Sequence, residues 1–168
     1  MDAQLVEILG RHRLIADLLR ANLEVAIPAR DRGIDLIAYA DLGSQVTRFS
    51  ACPIQLKVAI GSSFSIDKKY AKFPNLLIAF VWYLEDPART ATYATTHSEA
   101  LAIADAMGYT KTSSWEKGLY VTTKPGPNLV AQLEPFRMSA ERWWEKVTDC
   151  GGRVSDISAD RVRCESDK

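Results

Sequence analysis

A β-sheet is predicted by two short apolar segments, Gly33-Ile34-Asp35-Leu36-Ile37-Ala38-Tyr39 and Pro53-Ile54-Gln55-Leu56-Lys57-Val58-Ala59. Each is bounded by glycine, proline or polar residues that are typical of turns. Because strand side chains alternate between the two faces, Gln55 and Lys57 point the same way and the apolar residues beside them point the other way. Asp35, Gln55 and Lys57 are the only charged or amide side chains in the two segments. Burying such groups costs several kcal/mol unless they are paired, so these three residues are candidates for function.

The surrounding chain predicts further strands and one long helix. Residues 23–27 and 76–84 have the composition of strands, and residues 41–45 predict a hairpin connection with Gly43 as its permissive residue. Residues 3–22 predict an amphipathic helix against one face of the sheet. Its apolar stripe consists of Leu5, Ile8, Leu9, His12, Ile15, Ala16 and Leu19. We expect His12 to be packed within this stripe, and Gly10 to allow close packing or the approach of a ligand.

The C-terminal half predicts a smaller set of elements. Thr96 and Glu99 have the spacing of a capping box before an alanine-rich helix, in which His97 is expected to be exposed and which Gly108 ends. Residues 110–114 and 119–123 are predicted to be two strands of a hairpin. A short helix is expected over 128–133, and a last helix capped by Ser139, with one of its two tryptophans packed onto the domain and the other partly exposed.

These elements predict an α/β (α+β) fold, a central mixed sheet flanked by helices. Residues 1–86 form the predicted core and residues 87–150 a smaller C-terminal α/β elaboration packed on the same domain. Residues 151–168 are a polar tail with the composition of a disordered segment.

The composition is that of a soluble globular protein. Of the 168 residues, 47% are hydrophobic and 25% charged, and no apolar run approaches the ~20 residues of a membrane helix. Asp2 and Glu7 interrupt the pattern of a signal peptide, so we expect a cytoplasmic protein with no membrane partner. The three cysteines show no metal-ligand spacing and are expected to be reduced thiols, with Cys52 a small core residue. The formal net charge is zero, which gives no overall attraction to nucleic acid.

The three candidate residues have side chains that suit phosphodiester chemistry. The carboxylate of Asp35 can bind a divalent cation such as Mg²⁺ or Mn²⁺, which prefers hard oxygen ligands. The side-chain oxygen of Gln55 and the backbone carbonyl of Leu56 are further candidate ligands. Lys57 can orient or deprotonate a water molecule, or neutralise charge that develops on a phosphate.

The order of these elements resembles the PD-(D/E)XK, or restriction-endonuclease-like, nuclease superfamily. The resemblance rests on a helix, a strand, the Gly33-Ile34-Asp35 segment and the Pro53–Lys57 segment, and it covers residues 5–84. It looks closest to the Holliday-junction-resolvase-like and uncharacterised bacterial nuclease-like members, in which Gln-x-Lys often stands for Glu-x-Lys. The resemblance implies a metal-dependent DNA endonuclease with catalytic residues Asp35, Gln55 and Lys57.

Two features depart from the pattern of that superfamily. Gln55 takes the place of the more usual carboxylate, which leaves one negative ligand. Related proteins commonly carry a glutamate after a glycine on the first helix, whereas Gly10 is followed here by Arg11. Glu7 lies one turn earlier and is a substitute metal ligand, or else it forms a surface ion pair with Arg11.

The sequence leaves more than one partner open. Candidate contacts to a DNA backbone are Arg11, Arg30, Arg32, Lys68, Lys69 and Lys72, which are otherwise a solvated charged face. The alternative to a nuclease is a catalytically silent domain of the same fold that serves as a binding or dimerisation module, for example in a homodimer. A small-molecule or nucleotide site in the C-terminal half is a third option, for which no motif names a ligand.

Overall fold

The computed structural model describes residues 2–30, 32–40, 43 and 49–150. The helices are α1 (Ala3–Arg20), α2 (His97–Ala106), α3 (Ser113–Glu116), α4 (Pro127–Leu133) and α5 (Ala140–Cys150), with 3₁₀ turns at Lys68–Tyr70, Tyr109–Lys111 and Glu134–Phe136. The strands are β1 (Leu23–Ala26), β2 (Leu36–Ala40), β3 (Ala51–Val58), β4 (Phe64–Asp67), β5 (Leu77–Trp82), β6 (Ala91–Thr96) and β7 (Leu119–Thr122). The predictions for residues 41–45, apart from Gly43, and for the tail 151–168 lie outside the described residues.

Five strands form a mixed sheet in the order β1-β2-β3-β5-β6, so the predicted mixed sheet flanked by helices is confirmed. Strands β1, β2 and β3 are antiparallel neighbours, β3 and β5 are parallel, and β6 is antiparallel to β5. Strand β6 comes from the segment predicted to be an elaboration, and it is an edge strand of this main sheet. Strands β4 and β7 form a separate two-stranded sheet.

The two faces of the main sheet carry two hydrophobic clusters. One face contributes Leu36, Ile54 and Leu77 and is covered by α1 and α5. The opposite face, which we call the site face, contributes Ile78 and Phe80 and is covered by residues of β4, α2 and α4. The alternation of β3 places Gln55 and Lys57 on the site face, opposite Ile78 and Phe80 of β5.

Helix α1 packs through a different stripe from the one predicted. Its buried residues are Gly10, Leu14 and Leu18, whereas Leu5, Ile8, Leu9, His12 and Leu19 are exposed. A Cβ atom at Gly10 would lie 2.3 Å from Cγ2 of Val58, so only glycine permits this approach of the helix to β3. The prediction was wrong because hydrophobicity alone selected the stripe, while the absence of a side chain at Gly10 determines which face meets the sheet. The expectation that His12 would be packed was wrong for the same reason.

The capping predictions are confirmed. The Thr96 side chain accepts from the Glu99 backbone N–H, and the Glu99 carboxylate accepts from the Thr96 N–H, as in a capping box. Gly108 follows the helix with φ of 74°. At the start of α5, Ser139 accepts from the Arg142 N–H. The expectation that His97 would be exposed was wrong, because its side chain is 7% exposed in the first turn of α2.

The predicted hairpin of residues 110–114 and 119–123 was wrong. The first segment is a 3₁₀ turn followed by α3, whose start is capped by the Thr112 side chain. Strand β7 pairs instead with β4, a strand that the sequence did not predict, and Asp67 lies opposite Leu119 in the register. The apolar alternation of a strand does not determine which strand it pairs with. The sequence therefore predicted pairing with the adjacent segment, whereas the partner is distant in the chain. In α5, Trp143 is buried and Trp144 is partly exposed, as predicted.

Within the described part of the chain, no helix combines the length and hydropathy that crossing a bilayer requires.

Candidate active site

Asp35 and Gln55 meet where β2 begins, on the site face of the sheet. The Asp35 backbone N–H donates to the Ile54 carbonyl at 2.9 Å, just before the regular pairing of Leu36 with Ile54. Residues 32–34 lead into this point, and Gly33 has a φ of 89°, a backbone conformation that side-chain-bearing residues rarely adopt. Both polar side chains are 8% exposed.

The Asp35 carboxylate is held by two hydrogen bonds to the same oxygen. Its Oδ2 accepts from the Leu56 backbone N–H at 2.6 Å and from Nε2 of Gln55 at 2.5 Å. A buried carboxylate without donors would be strongly unfavourable, and donors of this kind stabilise its charge. These hydrogen bonds therefore hold the Asp35 side chain in one orientation against β3, the strand that carries Gln55 and Lys57.

The Gln55 amide turns its nitrogen toward Asp35 and its oxygen toward Tyr70. Nε2 of Gln55 also lies 3.3 Å from the Leu56 carbonyl oxygen, and Oε1 accepts from the Tyr70 hydroxyl at 2.9 Å. An ionised carboxylate can only accept hydrogen bonds, so it selects the nitrogen end of the amide. The amide nitrogen consequently lies between two oxygens, from Asp35 and Leu56, that were both predicted to be metal ligands.

This arrangement meets part of what a divalent cation needs. Two hard oxygens converge on one point, which fits Mg²⁺ or Mn²⁺, but the point is filled by Nε2 of Gln55 and the predicted Oε1 ligand faces away. Among the residues that the structure describes, no three acidic, histidine or cysteine side chains gather closely enough to hold a metal ion. A cation at this position thus requires the Gln55 amide to turn.

Tyr70 is a site residue that the sequence did not single out. It is buried in a 3₁₀ turn directly after Lys68 and Lys69, two of the lysines predicted as DNA contacts. Its ring centroid lies 5.9 Å from Nζ of Lys57 and 4.9 Å from Nζ of Lys69. Burial raises the pKa of Tyr70, and the nearby Lys69 partly offsets that shift. The hydroxyl therefore remains protonated at neutral pH and can donate to Gln55.

Asp35, Gln55 and Lys57 line one cleft of about 800 Å³. One wall is the first part of α1, with Ala3, Val6 and Glu7, and the other is the small sheet, with Ser65, Asp67, Leu119 and Val121. Lys69 lies at the same wall and pairs with Asp67 at 3.1 Å, a hydrogen bond that raises the pKa of Lys69. The cleft is thus polar at its floor and partly apolar along the small sheet.

Glu7 and Arg11 form an ion pair on α1, with 2.7 Å between Glu7 Oε1 and an Arg11 guanidinium nitrogen. This is the surface pair that was one of two alternatives for Glu7. The Glu7 side chain is 57% exposed and reaches the wall of the cleft, whereas its partnership with Arg11 occupies one carboxylate oxygen.

The six basic residues predicted to contact DNA do not gather at the cleft. Lys69 lines it, while Lys68 lies over the Trp115 ring and Lys72 over the Phe73 ring, at 5.0 and 5.1 Å from the centroids. Arg30 and Arg32 are exposed in the connection that leads to Asp35. The described residues therefore offer scattered exposed cations around one lysine-lined cleft.

Family models, curated proteins and solved structures were all searched, and none matches this chain.

Proposed function

We propose that this protein is a divalent-metal-dependent phosphodiester hydrolase that acts on DNA in the Asp35–Lys57 cleft. The observation that carries the proposal is the meeting of an acid, an amide and an amine at one cleft floor. Asp35, Gln55 and Lys57 come from two neighbouring strand segments and line the same space. Lysine and carboxylate side chains at one opening are the groups that bind and activate a phosphodiester.

Each residue has a distinct role in this proposal. Asp35 supplies the negative oxygen that holds a cation, and the Leu56 carbonyl supplies a neutral one. Lys57 neutralises charge on the phosphate or orients the attacking water. Tyr70 anchors the Gln55 amide. Because a phenol hydroxyl can both donate and accept, this anchor persists whichever end of the amide faces Tyr70.

Mg²⁺ or Mn²⁺ would be held by Asp35, by the Leu56 carbonyl and by the oxygen of a turned Gln55 amide. When bound, it would polarise a phosphoryl oxygen and lower the pKa of a coordinated water molecule. One carboxylate with two neutral oxygens makes a weaker site than two carboxylates, so we expect binding that needs millimolar cation, in the range of weak oxygen-ligand sites.

Cleavage assays test this proposal directly. The protein is incubated with linear, nicked and branched DNA in the presence of Mn²⁺, alongside Lys57→Ala, Asp35→Asn and the control Lys111→Ala. Lys111 is exposed and is not among the cleft residues. We expect cleavage by the wild type and Lys111→Ala, and a loss of about 100-fold or more in the other two variants. Absence of cleavage by the wild type, or equal cleavage by a folded Lys57→Ala protein, would overturn the proposal.

A second candidate function is a catalytically silent binding or dimerisation module. The observation that favours it is the position of Gln55 Nε2, which fills the point between the Asp35 and Leu56 oxygens with a neutral donor. Titration calorimetry with Mn²⁺ separates the two candidates. Heat of binding that Asp35→Asn abolishes supports the hydrolase, whereas a folded wild type that binds no cation supports the module.

A further inference from the structure

Two cysteine side chains from distant parts of the chain meet beneath the opposite face of the sheet from the cleft. Cys52 lies on β3 and is fully buried, while Cys150 is the last residue of α5 and is partly exposed. Both sulfur atoms contact the same backbone oxygen, that of Asn75, at 3.5 Å from Cys52 and 3.2 Å from Cys150. The two thiols therefore share one hydrogen-bond acceptor.

Other contacts fix the elements that carry the two thiols. The Ser50 hydroxyl donates to the Thr148 carbonyl at 3.2 Å, which ties the last turn of α5 to the start of β3. Val147, one turn before Cys150, is fully buried in the cluster that also contains Cys52. The sulfurs are therefore held together by the packing of the fold, so closure of a bond between them costs little chain entropy in the folded state.

The environments of the two thiols differ, and the difference makes Cys150 the more reactive of the two. The hydrogen bond from Cys52 lowers the pKa of Cys150, burial opposes this, and Lys146, one turn earlier on α5, lowers it further. The same hydrogen bond and burial raise the pKa of Cys52. The Asn75 carbonyl and the C-terminal end of the helix disfavour a thiolate at Cys150, so its activation is modest. Cys150 is nevertheless the thiol that ionises first and that a reagent can reach.

We propose that Cys52 and Cys150 form a redox-active dithiol that a small-molecule disulfide of the oxidised-glutathione class converts to an intramolecular disulfide. The Cys150 thiolate attacks the reagent, forming a mixed disulfide at Cys150 and releasing one reagent thiolate. Cys52 then attacks the Cys150 sulfur, the second reagent thiolate leaves, and the Cys52 proton passes to that departing thiolate. The protein loses two hydrogen atoms, the reagent gains two, and β3 becomes covalently joined to α5.

Burial determines the order of these two steps. A reagent disulfide cannot reach Cys52, which is 0% exposed, so the mixed disulfide forms at Cys150. The attack by Cys52 is intramolecular and needs no further access from solvent. The closed loop from Cys52 to Cys150 spans most of the described C-terminal part of the chain, and a loop of that length gives a large stabilisation relative to the unfolded state.

The test uses the full chain with Cys164→Ser, which removes the third cysteine and leaves this pair. Folded protein is titrated with oxidised glutathione and analysed by intact mass, by peptide mapping and by thermal unfolding. We expect both thiols to disappear together, no retained glutathione, a Cys52–Cys150 cross-linked peptide, and a melting temperature raised by roughly 5 °C or more.

Two further variants keep the proposal falsifiable. In the same background, Cys52→Ala should stop at a stable glutathione adduct on Cys150, and Cys150→Ser should leave the buried Cys52 unmodified. Retention of glutathione on Cys150 while Cys52 is intact and reduced would overturn the proposal. Failure of Cys150 to react, or a disulfide that lowers the melting temperature, would also overturn it.

Discussion

Gln55 presents its amide nitrogen, and not its oxygen, to the carboxylate of Asp35, at a distance of 2.5 Å. The Leu56 carbonyl faces the same nitrogen at 3.3 Å. A neutral N–H donor therefore does here what a cation does in an oxygen-ligand site, since it satisfies the charge of a buried carboxylate. The identity of residue 55 thus determines whether the charge of the Asp35 carboxylate is satisfied by the protein alone or requires a bound cation.

Replacement Gln55→Glu should convert this position into a metal site. A second carboxylate against Asp35 places two like charges together, which should destabilise the metal-free protein by about 1–3 kcal/mol at neutral pH. Addition of Mn²⁺ should restore the lost stability, because the cation then joins two carboxylates. Thermal unfolding with Mn²⁺ and with chelator measures both effects.

The matched control for this change is Gln132→Glu on the exposed side of α4. It introduces the same charge away from the cleft and should show no dependence of its melting temperature on Mn²⁺. The prediction that residues 35 and 55 form a metal position would be contradicted by a Gln55→Glu protein that is as stable as the wild type in chelator and whose melting temperature does not change with Mn²⁺.

Replacement Tyr70→Phe should test the anchor of the Gln55 amide. It removes the hydroxyl that donates to Oε1 of Gln55 at 2.9 Å and leaves that buried oxygen without this donor. We expect a loss of about 1–3 kcal/mol in the free energy of unfolding, measured with urea. Tyr39→Phe is the control, since Tyr39 is half-buried and its described contact is the ring of Phe49, so its loss should be within about 0.5 kcal/mol.

Replacement Gly10→Ala should disturb the packing of α1 against β3. The new Cβ would lie 2.3 and 2.6 Å from the two methyl carbons of Val58, so the helix or the strand must shift. Such overpacking costs typically about 1–3 kcal/mol of stability. In the Val58→Ala background the clashing methyl groups are absent. Gly10→Ala should therefore lower the free energy of unfolding less in that background than it does in the wild type.

Gly61→Ala is the control for this change, because a Cβ there has no atom within 4 Å and Gly61 is not in the left-handed region. Its stability should stay within about 1 kcal/mol of the wild type. Equal costs for the two glycine substitutions would mean that the contact of Gly10 with Val58 does not determine how α1 packs.

Local signals predicted much of the fold. The capping box of Thr96 and Glu99 and the stop at Gly108 act within one or two turns of the chain, so the residues that form them are near in sequence. Strand β3 was predicted because its apolar residues alternate with Gln55 and Lys57, and the mixed sheet follows from the order of such segments. These features needed no knowledge of distant contacts.

Distant contacts explain what the sequence did not predict. Strand β7 pairs with β4, more than fifty residues earlier in the chain, and the sequence of neither segment indicates its partner. Tyr70 reaches Gln55 only because the turn after β4 folds back over the cleft floor. The same holds for Cys52 and Cys150, which are far apart in the chain and meet only when α5 packs on β3. The orientation of the Gln55 amide is decided by the Asp35 charge, which residue type alone cannot give.

Replacement Glu99→Gln should reveal how acid weakens the attachment of α2. Burial raises the pKa of Glu99, but hydrogen bonds from Thr96 and the ammonium of Lys146, 3.1 Å from Oε2, outweigh it and hold the pKa below its ordinary value. A carboxylate with a lowered folded-state pKa stabilises the protein above its unfolded pKa of ~4.3, and this stabilisation disappears as the pH falls through the folded-state value.

Above pH 6 the free energy of unfolding of the wild type should therefore be higher than that of Glu99→Gln by about 1 kcal/mol. The difference is modest because the ion pair is partly exposed to solvent. The difference should shrink as the pH falls below about 4, where the carboxyl of the wild type becomes protonated. Urea unfolding at several pH values measures it, with Glu145→Gln, exposed on α5, as the control. A difference that stays constant from pH 7 to pH 3 would show that the ionised carboxylate adds nothing to the capping box, and that Glu99 acts there only as a hydrogen-bond acceptor.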